Sequence, residues 1–269
     1  MIRKWSKFTV SLVNDLRAAH RQDGLSVVQD FVVAANNIPT IADLRTLIET
    51  AVRELGFEYF AIVHHVCFGR PAGEHVRLTN YPLEWVGFVR EAPKLADPVV
   101  RAAERMSSGF KWDQLPTLLH MTAAEVEYMN RAAEHGIVHG YTVPNHVPGE
   151  TFGSCNFVAG AHRPFPDSSI SAAQALGSFA FEAARRLVKQ RPGEIYLQPA
   201  PLSERQRECL LFVARGKSDS VIADLLAIRP RTVNEHIEAA KRRYSVATRS
   251  QLLVRALFRS EICFSEVID

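Results

Sequence analysis

Cysteine is scarce in this sequence: Cys67, Cys155, Cys209 and Cys263 lie far apart, with no Cys-x-x-Cys pair. That spacing excludes a disulfide framework and a thiolate zinc site, and it fits reduced thiols. Long apolar runs are missing too. No stretch approaches the ~18 residues of a membrane span, and Met1-Ile2-Arg3-Lys4-Trp5 is not followed by the apolar core of a signal peptide. The expected location is therefore the cytoplasm, with no membrane partner. The phosphate-cradling glycine loop, the dinucleotide fingerprint and the His-Glu-x-x-His zinc motif are all absent, and Gly153-Ser154-Cys155 lacks the flanking glycine of a nucleophile elbow. No enzyme and no cofactor are expected. His64, His65, His135, His139 and His146 have no carboxylate or cysteine at ligand spacing and read as surface histidines rather than a metal site. There is no internal repeat and no low-complexity tract.

What is present is ordinary in bulk and uneven in charge. The 269 residues are 47% hydrophobic and 23% charged, which allows two globular domains. The net charge is +3, but Ser203 to Arg259 holds twelve Lys and Arg against six Asp and Glu. A basic end of +6 is thus joined to a mildly acidic body, the electrostatic footprint of a chain that meets DNA at one end.

That basic end reads as four short helices. Ser203 is a good N-cap for a first helix carrying Leu210, Leu211, Val213 and Ala214, and Gly216 ends it. Ser218 caps a second, with Val221, Ile222, Leu225 and Leu226 at helical spacing. Pro230 opens a third, in which Val233, Ile237, Ala240 and Tyr244 form one buried stripe. Arg231, Asn234, Glu235, Glu238, Lys241 and Arg242 occupy its opposite face. A fourth, from about Thr248 to Phe258, packs Leu252, Leu253, Ala256 and Leu257 behind. Two helices on a tight turn, the second polar outward, is the arrangement that lays a recognition helix in the major groove, although a plain helical bundle shares the periodicity.

The rest reads as an α+β domain, with one antiparallel sheet between helical layers. Helices are expected over Phe8 to Ala19, Leu25 to Ala35, Ile41 to Leu55 with Thr40 as cap, Pro82 to Arg90, Pro98 to Met106, Thr122 to His135 and Ser169 to Lys189. Strands are expected over Phe57 to Cys67, Glu74 to Thr79, Ile137 to Val143 and Phe152 to Ala159. The Pro- and Gly-rich stretch 190–201 reads as a linker, so the expected domains are 1–189 and 202–269.

The C-terminal residues Leu202-Ser203, Glu208-Cys209-Leu210, Ala214-Arg215-Gly216-Lys217-Ser218, Ile222-Ala223, Arg231-Thr232-Val233, His236 and Arg249-Ser250-Gln251 resemble the LuxR-type helix-turn-helix. Gln206 stands where that family customarily has Glu, Ala227 where Gly often turns, and Arg229 where a capping Ser is usual. In the body, Tyr81-Pro82-x-x-Trp85, Asp97-Pro98-Val99-Val100, Trp112 and Gly136-Ile137-x-x-Gly140-x-x-x-Pro144 resemble the sensor domain of LuxR-type quorum-sensing receptors, whose ligands are acyl-homoserine lactones. The resemblance covers nearly the whole chain.

It implies a ligand-responsive regulator of transcription, homodimeric on pseudo-palindromic promoter DNA, with RNA polymerase as a further partner it allows for. By the same resemblance, Trp85 would donate its indole N–H to the lactone carbonyl, Asp97 would accept from the amide N–H, and Tyr81 would donate its hydroxyl to the amide carbonyl. Trp112 would wall the head-group end, and Asn156 would stand on the sheet near the first acyl carbons, where a Ser or Thr is usual. A second Tyr usual after the Trp is replaced here by Phe88 or Val89, so one hydroxyl is missing. Asp97 is further expected to depend on the ligand for its partner. On the residues alone, Trp85 and Trp112 also fit core aromatics, Asp97 a helix cap and Tyr81 a turn residue. On DNA, Asn234 and Glu238 would face bases, with Glu235 beside them. Lys217, Arg229, Thr232, Lys241 and Arg242 would lie toward phosphates, and Ser218 and Arg231 are further DNA-binding candidates.

Two rival readings remain. A phosphorylated response regulator would share the C-terminal module but begin with paired acids after a first strand, whereas this chain begins with helices. A LuxR-type protein that is ligand-independent, or that answers a non-lactone molecule, is allowed by the change at Phe88 or Val89.

Overall fold

The computed structural model describes residues 24–65, 76–91, 97–148, 150–189 and 200–268. The helix expected over Phe8 to Ala19, the Gly-Arg-Pro-Ala-Gly turn after the first strand and most of the linker lie outside them. The described residues fall into two compact units, one holding all five strands and the helices up to Lys189, the other the helices from Glu204 onward.

In the first unit, α1 (Gly24–Ala35) and α2 (Ile41–Glu54) precede β1 (Tyr59–His64) and β2 (Arg77–Thr79). Then come α3 (Leu83–Glu91), α4 (Pro98–Ala103), the short β3 (Phe110–Lys111), a 3-10 turn at Trp112–Gln114, α5 (Leu115–Leu118) and α6 (Ala123–Glu134). The unit closes with β4 (Ile137–Asn145), β5 (Gly153–Gly160) and α7 (Ile170–Lys189). Local chemistry starts several of these. Thr40 accepts from Asp43 N–H at the head of α2, and Thr122 with Glu125 forms a reciprocal capping box on α6.

All strand pairs are antiparallel, in the order β2-β1-β5-β4-β3. Because side chains alternate along a strand, register divides β5 between two layers. Cys155 faces α7, where its Sγ donates to the Gly177 carbonyl, while Asn156 and Val158 face the α3–α6 layer. Helices α2 and α7 pack on one face of the sheet, with α1 against both of them; α4 and α6 pack on β4 from the other. The expected four-stranded sheet is thus extended by β3, whose two residues pair with Tyr141 and Thr142. His64 corrects the reading as a surface histidine: it is buried, its Nδ1 accepts from Val76 N–H, and its ring lies edge-on to Phe181.

The second unit contains α8 (Glu204–Ala214), α9 (Asp219–Leu226), α10 (Pro230–Arg243), α11 (Arg249–Phe258) and a fifth short helix that the sequence reading lacks, α12 (Phe264–Ile268). Ser203 and Ser218 cap their helices as expected, with Gln206 closing the box on Ser203, and Thr248 caps α11 in the same way. The buried stripe is Val233, Ile237, Ala240 and Tyr244. Helices α9 and α10 meet through Ala227-Ile228-Arg229, a tight helix-turn-helix corner.

Both departures at that corner have a visible cost. Ala227 lies in the left-handed region at φ 53°, ψ 44°, where an L side chain is strained, and Arg229 sits at the N-cap of α10 without any side-chain capping bond. Ala227→Gly and Arg229→Ser should therefore each stabilise the protein, by about 1 kcal/mol. Urea unfolding of the two variants checks this; an unchanged or lower midpoint for both contradicts it.

Candidate ligand-binding site and nucleic-acid interface

The aromatic and polar residues singled out in the body converge between the sheet and the α3–α6 layer. Asn80 receives the Phe60 N–H on its side-chain oxygen at 2.6 Å and donates to the Glu58 carbonyl, while the Thr79 hydroxyl accepts from Tyr81 N–H. These bonds fasten the end of β2 to β1 and place Tyr81 edge-on to Tyr59, with ring centroids 6.2 Å apart. One turn on, Trp85 is 4% exposed; it stacks on Phe88 and meets Tyr128 edge-on, each at 5.2 Å.

Asp97 is the polar centre. Its Oδ1 caps α4, accepting from Val99 N–H at 2.9 Å and Val100 N–H at 3.3 Å, ahead of Pro98 at the first helical position. Its Oδ2 accepts from the Tyr128 hydroxyl of α6 at 2.9 Å. The expectation that Asp97 depends on a ligand for its partner is therefore corrected: three protein donors already serve it. Burial pushes the Asp97 carboxyl above its ordinary range, against the opposing pull of those hydrogen bonds. Burial, and then the Asp97 charge, raise both the Tyr81 and the Tyr128 phenols. The two phenols differ in one respect. Tyr128 has its partner, whereas the Tyr81 hydroxyl is buried with no hydrogen-bond partner among the described residues.

Trp112 and Asn156 form a second polar line on the same face of the sheet. The Trp112 indole N–H donates to the Thr142 hydroxyl at 2.8 Å, and that hydroxyl donates in turn to the Asn156 side-chain oxygen at 2.8 Å. Register places Thr142 and Asn156 opposite each other on β4 and β5. Gly140 makes the line fit, since a Cβ there would overlap the Trp112 indole. Together Trp85, Trp112, Tyr128, Ile137 and Val158 belong to one buried cluster, with Tyr59, Tyr81 and Phe88 packed against it. Its walls are apolar and its few polar groups convergent, the character of a small-molecule site.

In the second unit, the residues expected at DNA lie on or beside α10. Lys217, Arg229, Arg231, Asn234, Glu235 and Arg242 are exposed, and Thr232 is half-buried. Ser218 spends its hydroxyl capping α9, accepting from Val221 N–H. Arg231 pairs with Glu235 at 3.0 Å, and Lys241 with Glu238 at 2.8 Å. Arg249 of α11 grips Asp219 through two bonds, 2.5 and 2.7 Å, and donates to the Asn234 side-chain oxygen at 3.1 Å. Asp219 is held below its ordinary carboxylate range first by that Arg249 bond.

Residues 40–187 match the family model described as "autoinducer binding domain", and residues 200–256 match "bacterial regulatory proteins, luxR family". The chain belongs to the LuxR family of autoinducer-binding regulators. It is similar to the transcriptional activator protein BjaR1 of Bradyrhizobium diazoefficiens, 25% identical over 230 residues that cover 85% of this chain and 93% of BjaR1. Among solved structures it resembles Escherichia coli SdiA, with a TM-score of 0.64 at 25% identity over 89% of this chain and 99% of that one. A structure of SdiA in complex with octanoyl-rac-glycerol gives 0.63 at 25% identity, over 90% and 97%. The pairing of an autoinducer-binding domain with a helix-turn-helix domain supports a ligand-responsive regulator, and the relatives, being transcriptional regulators, indicate no catalytic function. Among the described residues no helix is long and apolar enough to cross a membrane, and no three His, Cys, Asp or Glu side chains gather as a metal site.

Within this LuxR-family frame, sequence reasoning missed Tyr128 and Thr142 in the sensor, and Asp219 and Arg249 in the helix-turn-helix. Tyr128 is three residues past Glu125 of the capping box, so it had a helical address but no motif. Thr142 was marked only by lying in a strand. Thr142→Val keeps the shape but leaves the Trp112 N–H without its acceptor and Asn156 without its donor. It should cost roughly 1–3 kcal/mol, read by thermal or urea unfolding. No loss would show that both groups find other partners.

Proposed function

We propose that this chain is a transcriptional regulator that binds an N-acyl-homoserine lactone between its sheet and the α3–α6 layer and binds pseudo-palindromic promoter DNA through α10. Residues 1–189 are assigned to the ligand, 190–201 to a linker and 202–269 to DNA. The observation that carries the ligand reading is the Tyr81 hydroxyl, buried beside Asp97 and Trp85 with no protein acceptor among the described residues. A buried donor left unmatched costs roughly 1–3 kcal/mol, so an acceptor from outside the protein is what this position rewards. The amide carbonyl of an acyl-homoserine lactone is such an acceptor. In this reading its amide N–H takes the remaining lone pair of Asp97, its lactone carbonyl takes the Trp85 indole N–H, and Phe88, Trp112 and Asn156 bound the head group and the start of the acyl chain.

A second reading keeps the fold and changes the ligand. SdiA, at 25% identity, has a structure in complex with octanoyl-rac-glycerol, an acyl compound without an amide N–H. Comparing the two ligand classes on the wild type separates the readings, because the free hydroxyls of an acylglycerol can donate to Asp97 as an amide N–H can, and Asp97 itself tests whether the lactone's amide N–H is met there. Asp97→Asn keeps volume and capping, and should retain near-normal melting without ligand while losing most of the lactone-induced rise in melting temperature. A full lactone shift in Asp97→Asn, or a wild type stabilised by acylglycerols and by no lactone, would overturn the amide assignment.

On DNA, the protein is proposed to act as a homodimer inside the cell, meeting RNA polymerase at its promoters. One recognition helix reads only a few base pairs, so two-fold pairing sets the half-sites about one turn, 10 to 10.5 bp, or a multiple apart. Asn234 is the base-reading candidate, with Glu238 and Glu235 near it. Lys217, Ser218, Arg229, Arg231, Thr232, Lys241 and Arg242 are the phosphate-side candidates. Inserting half a helical turn between half-sites should abolish binding in a mobility-shift assay. Unchanged affinity would exclude the dimer geometry.

A further inference from the structure

The resemblance leaves one hydroxyl unaccounted for, at Phe88 or Val89, and the structure puts a different one at the site. We propose that Tyr128 is a positioning residue for ligand recognition: its hydroxyl, bound to Asp97 Oδ2, holds that carboxylate as an acceptor aimed at the ligand's amide N–H. The inference rests on the lactone reading given above and extends it to a residue outside the motif.

The argument begins with the carboxylate's capacity. An ionised Asp accepts about four hydrogen bonds. Two sites on Oδ1 are taken by Val99 and Val100 N–H, and one on Oδ2 by Tyr128, which leaves Oδ2 one site. The α4 cap fixes the first oxygen and the Tyr128 bond fixes the plane about it, so the direction of the last lone pair is set by the protein. Tyr128 is itself immobilised: it is 7% exposed, edge-on to Trp85 at 5.2 Å and within 5.9 Å of Phe88 between ring centroids. The same phenol thus touches the aromatic wall and the polar centre.

A carboxylate in apolar surroundings tends to keep its proton, and a protonated Asp97 would present a donor where the ligand's N–H needs an acceptor. The charge-assisted bond from Tyr128 opposes that protonation. The other groups facing Asp97, among the described residues, do not replace it. Tyr81, from the end of β2, is within its field but makes no hydrogen bond to it, and Glu125 of α6 is an acid that raises it further. Arg101 of α4 is occupied by Glu125 at 2.9 Å and by the His120 carbonyl.

The test compares wild type and Tyr128→Phe in calorimetric or fluorescence titrations with N-butanoyl- to N-dodecanoyl-homoserine lactones, between about pH 5 and pH 8. Removing the hydroxyl should weaken binding by about tenfold near neutral pH, the scale of one charge-assisted hydrogen bond, and the deficit should shrink as pH rises and Asp97 ionises. Asp97→Asn/Tyr128→Phe, which has no carboxylate to protonate, keeps the test open if the single variant does not fold. It should bind weakly and with the same affinity across the range. A Tyr128→Phe protein that matches wild type at every pH overturns the inference, as does a deficit that does not change with pH, or a pH dependence that persists in the double variant. A wild type that binds none of the lactones instead overturns the lactone reading itself.

Discussion

A single buried carboxylate organises the sensor half of this protein. Asp97 has to be capped, because it stands at the head of α4 before Pro98, and it has to be partnered, because it lies under Trp85 and Tyr128 where water does not compensate its charge. Two elements answer those demands separately, the backbone of α4 at one oxygen and the side chain of Tyr128 at the other. Just beside it, Arg101 pairs with Glu125. Asp97 and Arg101 are four apart, and Glu125 and Tyr128 three apart, so each pair shares one face of its stretch. The α4 and α6 layers are therefore joined by two polar links, carboxylate to phenol and guanidinium to carboxylate. Burial opposes ionisation of Glu125, yet the Thr122 bonds and the Arg101 charge outweigh it and hold that carboxyl below its usual range. Among the described residues Asp97 has no such cation, and there its ionisation leans on hydrogen bonds.

The floor of the site depends on register in the same way. A slip of one residue between β4 and β5 would turn Asn156 and Val158 toward α7 and bring Cys155 and Phe157 to the α3–α6 side. The Trp112–Thr142–Asn156 line resists that slip, since it needs Thr142 and Asn156 opposite each other and Gly140 bare beneath the indole. A polar line in a sheet can thus specify register.

This division explains what could be read from the sequence. Caps and periodicity announced α2, α6, α8 and α9, because Thr40, Thr122, Ser203 and Ser218 act within three residues of themselves, and apolar spacing alone announced α11. The strained Ala227 and uncapped Arg229 were legible for the same reason. Two-residue β3 and four-residue α5 carry too little periodicity to register, and their existence depends on the neighbours they pair with or pack on. Tyr81, Trp85, Asp97 and Trp112 were found through a resemblance spanning about thirty residues of chain. Tyr128 was not, because its link to Asp97 crosses 31 residues and depends on the packing of α6 over α4. Likewise His64, in a strand with no obvious mate, reads as surface until the register turns it toward Phe181.

Internal pairing in the helix-turn-helix is compatible with the DNA contact proposed for it. Its surplus of cations is partly spent within the protein, on Glu235, Glu238 and Asp219. Pairs such as Arg231–Glu235 and Lys241–Glu238 sit within one turn of the same helix and in contact with solvent, where ion pairs contribute little, so exchanging a carboxylate for a phosphate loses almost nothing. Arg249 is different. It is bidentate on Asp219 at the first turn of α9 and reaches Asn234 on α10, linking three helices at one guanidinium. Arginine can only donate, so the Asn234 group facing it must be the amide oxygen, and the amide nitrogen points away from α11. If Asn234 reads a base as proposed, an amide already oriented in this way costs less to order than a free surface Asn does. Arg249 thus connects the first turn of α9 to the exposed face of α10.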